Sequence, residues 1–243
     1  MTRLLVLQHL ERERPGHFLK LAEERGFTVC TFRLDLGDSF PELMSGDVLL
    51  VLGGPMGIRD IGTSTYPWLI DEVAFIKEAL RQGVGIIGVC LGAQLLAYAA
   101  GGDIEMLLEE LSRQPLAEIG WDNIFPQSLE NNCKLRTLLD PPFPVLHWHG
   151  DRIILPNNAE LIASSCRCKE QLFSIGPLAY GLQFHVEIDE EMVNTWIKDD
   201  QKFISTVLGA DGQSILKQQQ KEFGSKTLAS RLEFISTLFD LLS

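Results

Sequence analysis

A chain of 243 residues, 45% hydrophobic and 22% charged, can bury a full core, and its formal net charge of −12 argues against a nucleic-acid or anionic-membrane surface. Residues 1–10 hold too short an apolar run, and no small-residue cleavage site, for a secretory signal, and no segment approaches the length of a membrane span. Five cysteines (Cys30, Cys90, Cys133, Cys166 and Cys168) make an odd count without framework spacing, which fits free thiols and a cytoplasmic location.

Residues 3–9 read as a first strand. Residues 16–25 read as a helix carrying Phe18, Leu19, Leu21 and Ala22, stopped by Gly26. Further strands are predicted over 28–34 and 47–52, the latter running into Gly53-Gly54-Pro55. The helical spacing of Ile70, Val73, Ala74, Ile76 and Leu80 marks 68–82, and an apolar strand follows at 83–87. Helix formers at 93–100 are closed by Gly101-Gly102. Strands alternating with helices predict an α/β fold, an open, mainly parallel twisted sheet with helices on both faces. Ligand sites in such sheets lie beyond the carboxyl ends of the strands.

From 117 to 185 the pattern changes to short strand-like pieces separated by turn residues, read as hairpins finishing one edge of the sheet. Beyond Asp189 the chain is predicted helical, at 190–201, 203–208 and 228–242, with a break at 209–212. The expected organisation is an α/β domain over 1–198 and a helical extension over 199–243 packed on it, covering an edge or a homodimer face.

Gly88-Val89-Cys90-Leu91-Gly92 stands between the strand at 83–87 and the helix at 93–100. A cysteine flanked by glycines at a strand-to-helix junction is a nucleophile elbow, because the turn is sharp and side chains two residues away would collide with neighbouring elements. The helix N-terminus behind the sulfur favours negative charge there. A small buried cysteine packed under a tight turn is the competing reading. Such a nucleophile needs a base, and the base needs an orienting acceptor. Of five histidines, His185 ends an apolar strand and has Glu187 two residues on, on the same side. Oxyanion donors are available in the N–H groups of Leu91 and Gly54, since Pro55 has none. Cys166-Arg-Cys168 lacks the spacer and second pair of a metal site, so it is read as structural, and neither a metal nor another cofactor is expected.

Gly-Val-Cys-Leu-Gly-Ala-Gln at 88–94, Gly-Gly-Pro at 53–55 and Gln-Phe-His-Val-Glu at 183–187 resemble class I glutamine amidotransferases with a Cys-His-Glu triad. His147-Trp148-His149-Gly150-Asp151 and Glu118-Ile119-Gly120-Trp121 are similar to the stand-alone branch related to the amidotransferase domain of GMP synthase. The resemblance spans about residues 1–190, with the motifs in order. It implies the flavodoxin-like amidotransferase fold and a reaction. Cys90 would attack the side-chain amide of glutamine, or a γ-glutamyl amide, and form a thioester. His185 would protonate the departing nitrogen and then activate water, Glu187 would hold its tautomer, and Gly54 and Leu91 would bind the oxyanion. Gln94, His149, Gly150 and Asp151 match positions lining the glutamine pocket, and Trp148 is read as core.

One departure is visible: the family usually has proline between the triad His and Glu, where this chain has Val186. There is no phosphate loop and no room for a synthase domain after residue 200, so released ammonia requires a separate synthase partner, or the enzyme is a simple hydrolase or γ-glutamyl peptidase. Two readings from other classes stand beside it: a catalytically silent binding or regulatory module, and a redox-sensing cysteine protein.

Overall fold

A computed structural model describes residues 2–127 and 134–242, so Cys133 lies outside the described residues. The first half follows the alternation expected from sequence: β1 (Arg3–Gln8), α1 (Gly16–Glu24), β2 (Thr28–Arg33), β3 (Val48–Val51), α2 (Leu69–Gln82), β4 (Gly85–Val89) and α3 (Leu91–Ala99). β1, β3 and β4 are buried on both faces and so read as continuous apolar runs, while β2 at the sheet edge is partly exposed. Leu4 and Val6 face one hydrophobic cluster, while Leu5 and Leu7 face the other.

The middle of the chain is built from short strands: β5 (Asp103–Met106), β6 (Glu118–Asn123), β7 (Phe125–Pro126), then α4 (Lys134–Leu138), β8 (Pro144–His149), β9 (Asp151–Ile154), β10 (Ala159–Ser164), β11 (Leu172–Ile175) and β12 (Ala179–Leu182). The main sheet has eight strands in the order β2-β1-β3-β4-β12-β11-β10-β7, parallel from β2 through β12 and antiparallel beyond. Only part of the 117–185 region finishes its edge. β6 pairs with β8, and β5 with β9, in two separate two-stranded sheets. Short alternating strands do not encode their partners, so the sequence pattern could not separate these pairings.

The rest is helical: α5 (Glu190–Asp199), α6 (Gln201–Leu208), α7 (Gly212–Phe223) and α8 (Leu228–Leu242). Asp189 caps α5 by accepting from the Met192 N–H at 2.8 Å. α7 was not expected, because its Gln218-Gln219-Gln220-Lys221 stretch reads only as a polar patch. Those amides have structural partners: Gln219 Oε1 accepts from the Trp121 backbone N–H and Gln220 Oε1 from the Trp121 indole, at 3.0 and 3.1 Å. α8 lies on the main core, where Phe239 makes edge contacts with Phe18 and Phe27 at 6.0 and 5.3 Å between ring centroids. α2 and α3 cover the opposite face. No helix among the described residues is long and apolar enough to cross a membrane.

Candidate active site

Cys90 sits between β4 and α3 with φ 51° and ψ −105°, a conformation that non-glycine residues avoid and that costs about 1–3 kcal/mol. The turn is held by its Cys90 N–H, which donates to Leu182 O at 2.7 Å, and by its carbonyl, which accepts from Gln94 N–H at 3.1 Å. The flanking glycines are sterically required. A Cβ on Gly88 would lie 2.4 Å from Gly92 O, and one on Gly92 would lie 2.0 Å from Val51 O. The backbone at Cys90 thus has the sharp strand-to-helix turn of an elbow.

His185 lies just past the end of β12, which stops at Leu182 rather than running to 185 as predicted. Its backbone N–H donates to Leu146 O at 2.8 Å in an isolated bridge. Its Nδ1 donates to Glu187 Oε1 at 2.6 Å, since a carboxylate only accepts, and both residues are buried. That bond leaves Nε2 as the nitrogen available for chemistry. Burial alone would disfavour the imidazolium, but the Glu187 carboxylate and the Cys90 sulfur override it and hold the His185 pKa well above its usual value. A methyl built on Gly53 would stand 3.5 Å from His185 Cε1 and 3.7 Å from Cys90 Cβ, so the two groups border one spot. Gln183 adds a donor, its amide reaching Cys90 Sγ at 3.6 Å.

The segment carrying this pair is held along its length. His17 N–H donates to Glu187 O at 2.8 Å, and Arg231 Nη1 of α8 donates to Val186 O and Ile188 O at 3.1 and 2.7 Å. Val186 occupies the position where a proline was expected, and the Arg231 guanidinium now bridges the carbonyls on either side of Glu187. Arg231 is 2% exposed, and burial lowers its pKa to about 10 against the pull of Glu187 and Asp189.

A cavity of about 310 Å³ opens on Cys90, bounded by Gly54, Leu91 and Gln94 on one part of its wall and by His149, Gly150 and Asp151 on another. His185 also lines it, with Glu187 behind. The N–H groups of Gly54 and Leu91 have no acceptor among the described residues. Gln94 is buried and its amide donates to Gln183 Oε1 at 3.2 Å. Burial raises the Asp151 carboxyl, opposed by Arg59 and His149.

Sequence reasoning missed Arg12, Glu13, Trp196, Asp200 and Phe203 on the remaining wall, and it read Trp148 as core. Trp148 is half-buried on the cavity wall, donates its indole N–H to Asp200 Oδ2 at 2.9 Å and packs edge-on against Trp196. Arg12 meets Asp200 at 2.8 Å, and burial pushes the Glu13 carboxyl up, opposed by His185 and Arg12. Arg12 and Glu13 sit in a charged loop after β1, which in sequence looks like an ordinary solvated turn.

Behind the rim, donor atoms of Glu118, His147 and His149 lie within 4.8 Å of one another. Two of the three are already engaged. His149 Nδ1 donates to Asp151 O at 2.9 Å, and the Gln171 amide, 3.2 Å from His149 Nε2, also donates to Glu118 Oε2 at 2.6 Å. Ser165 Oγ donates to Glu118 Oε1 at 2.5 Å. The cluster is a buried polar network that fixes the His149-Gly150-Asp151 wall. Of the three, His147 is the one whose ring nitrogens make no hydrogen bond among the described residues, its Nδ1 standing 3.9 Å from Glu118 Oε2.

A family model described as glutamine amidotransferase class-I matches residues 18–200. The chain belongs to that family. The glutamine amidotransferase-like protein YfeJ of Salmonella typhimurium (strain LT2) is 30% identical over 210 residues, covering 85% of this chain and 84% of that protein. A subunit of the glutamine-hydrolysing GMP synthase of Ignicoccus hospitalis is 30% identical over 145 residues, 58% of this chain and 67% of that one. The crystal structure of a glutamine amidotransferase from Methylobacillus flagellatus superposes with a TM-score of 0.81 at 25% identity, covering 99% of this chain and 95% of that one. The class-I amidotransferase match ends at residue 200, yet Phe203 lines the cavity and Arg231 grips the carbonyls around Glu187. Residues beyond the matched region therefore border the cavity and hold the segment that carries Glu187.

Proposed function

We propose that the protein hydrolyses the side-chain amide of glutamine, or a γ-glutamyl amide, through a thioester on Cys90. The Cys90 thiol passes its proton to His185 Nε2, the thiolate Sγ attacks the amide carbonyl carbon, and the oxyanion of the tetrahedral intermediate accepts hydrogen bonds from the Gly54 and Leu91 N–H groups. His185 Nε2 delivers a proton to the nitrogen, the C–N bond breaks, and ammonia or an amine departs. Water then attacks the thioester carbonyl while His185 Nε2 takes its proton. The S–C bond breaks, releasing glutamate and the thiolate. Glu187 keeps Nδ1 protonated throughout. Gln94, His149, Gly150 and Asp151 hold the glutamate portion of the substrate.

The observation that carries this reading is a strained cysteine opening on a cavity beside a buried His185–Glu187 pair at 2.6 Å, with two unpaired backbone N–H groups on the same wall. Ammonia released this way has an acceptor in a separate synthase partner, a reading supported by the likeness to the Ignicoccus hospitalis GMP synthase chain. Incubation with glutamine and with γ-glutamyl peptides should yield glutamate, and Cys90→Ala should lower turnover by about a thousandfold or more. Absence of product from both substrates, or full activity of Cys90→Ala, would sink the proposal.

A further inference from the structure

At the end of β1, His9 is buried with its side chain fully enclosed, and so is Glu72 in the first turn of α2. The histidine bridges two partners: His9 Nδ1 lies 2.9 Å from Gly53 O, and His9 Nε2 lies 2.8 Å from Glu72 Oε1. A backbone carbonyl can only accept, so Nδ1 carries a proton and donates to Gly53. Burial opposes a charge on this ring, but the Glu72 carboxylate outweighs it and raises the His9 pKa. None of the steps assigned to Cys90, His185 and Glu187 uses this pair.

Its consequence lies in the peptide that it holds. The peptide between Gly53 and Gly54 is trans, the Asp140-Pro141 bond being the cis one among the described residues. In a trans peptide the C=O and the following N–H point in opposite directions. Tying Gly53 O to His9 therefore turns the Gly54 N–H away from His9. Gly54 lines the Cys90 cavity, and its N–H has no acceptor among the described residues. Two glycines in succession have little intrinsic preference for this peptide orientation over its flipped alternative, so an external tether is needed to select it.

We infer that His9 and Glu72 form a positioning pair that sets the oxyanion hole, by clamping Gly53 O so that Gly54 N–H faces the carbonyl attacked by Cys90. The inference rests on the amide-cleaving reading for its kinetic consequence, while its structural consequence stands without it. His9 touches neither the substrate nor the reacting atoms.

Two amide replacements separate clamping from simple burial. Asn at position 9 carries its amide near the place of Nδ1 and can still donate to Gly53 O, whereas Gln carries it near the place of Nε2 and keeps only Glu72. His9→Asn should retain kcat within about fivefold. His9→Gln should lose about 10- to 100-fold in kcat with KM little changed, a fraction of what deleting an oxyanion donor costs. Alkylation of Cys90 by iodoacetamide forms no oxyanion and should proceed at the same rate in both variants. A crystal structure of His9→Gln should show the 53–54 peptide turned over. Equal kcat losses in the two variants, alkylation slowed in parallel, or an unmoved 53–54 peptide in His9→Gln would each overturn the inference. If the wild-type protein cleaves neither glutamine nor γ-glutamyl peptides, the amide-cleaving reading fails instead, and the 53–54 peptide orientation still decides the clamp.

Discussion

Cys90 and Cys168 are both buried, yet their surroundings give them different chemistry. Cys168 is 2% exposed, and burial, with the charges of Glu118 and Glu170, pushes its thiol up to about 12, which makes it an inert packing group. Cys90 borders a cavity and shares its environment with His185. The histidines divide in the same way. His147 has no charge partner strong enough to offset burial, and its pKa falls from 6.5 to about 4. Its unfolded form binds the proton first on acidification, so stability is lost as pH falls from about 6.5 towards 4, by at most about 3 kcal/mol. His147→Leu should flatten that arm in urea melts taken across the interval; an unchanged slope would contradict the assignment. His9 and His185 have raised values and act oppositely, with stability lost as pH rises above their unfolded value.

Among the elements, the elbow was the most legible, because its constraint is local: glycine, cysteine and glycine spaced around one strand-to-helix turn. Gly53-Gly54-Pro55 was legible as a turn and a source of donors, but not the His9 ring that orients it, 44 residues away in sequence. The Val186 departure from the family pattern could not be weighed from sequence, since the guanidinium that bonds the carbonyls of Val186 and Ile188 comes from α8. Arg231→Met would leave the carbonyls of Val186, Ile188 and Gly224 without this donor inside the fold. That should cost about 3 kcal/mol and loosen the segment carrying His185 and Glu187. Denaturant melts and turnover should both fall. Wild-type stability with wild-type turnover would show that the guanidinium restrains nothing.

At the scale of the molecule, the C-terminal helices are joined to the rest in two ways. Phe234, Ile235, Leu238 and Phe239 of α8 belong to the cluster that covers one face of the main sheet, and Asp200 and Phe203 belong to the cavity wall. A chain ending at residue 198 should expose that face, losing several buried aromatic and aliphatic side chains at about 2–5 kcal/mol each. It should be insoluble or melt without cooperativity by circular dichroism. A soluble fragment with a sharp transition would instead make 199–243 separable from the 1–198 domain.

The alternation of apolar strands and helices, the elbow at Cys90 and the His185-Val186-Glu187 spacing are written in neighbouring residues, where backbone sterics and side-chain period act directly. From these alone the family and the α/β sheet could be read, and Cys90 with His185 could be put forward as the proposed nucleophile and base. The pairing of β6 with β8, the cavity wall from Arg12 to Phe203, and the two distant restraints on the site depend on contacts between segments far apart in the chain. Such contacts are selected by packing and by the need of buried polar groups for partners. They leave no periodic signature in any one stretch: His9 looks like the end of a strand, and Arg231 like one more charge on a helix.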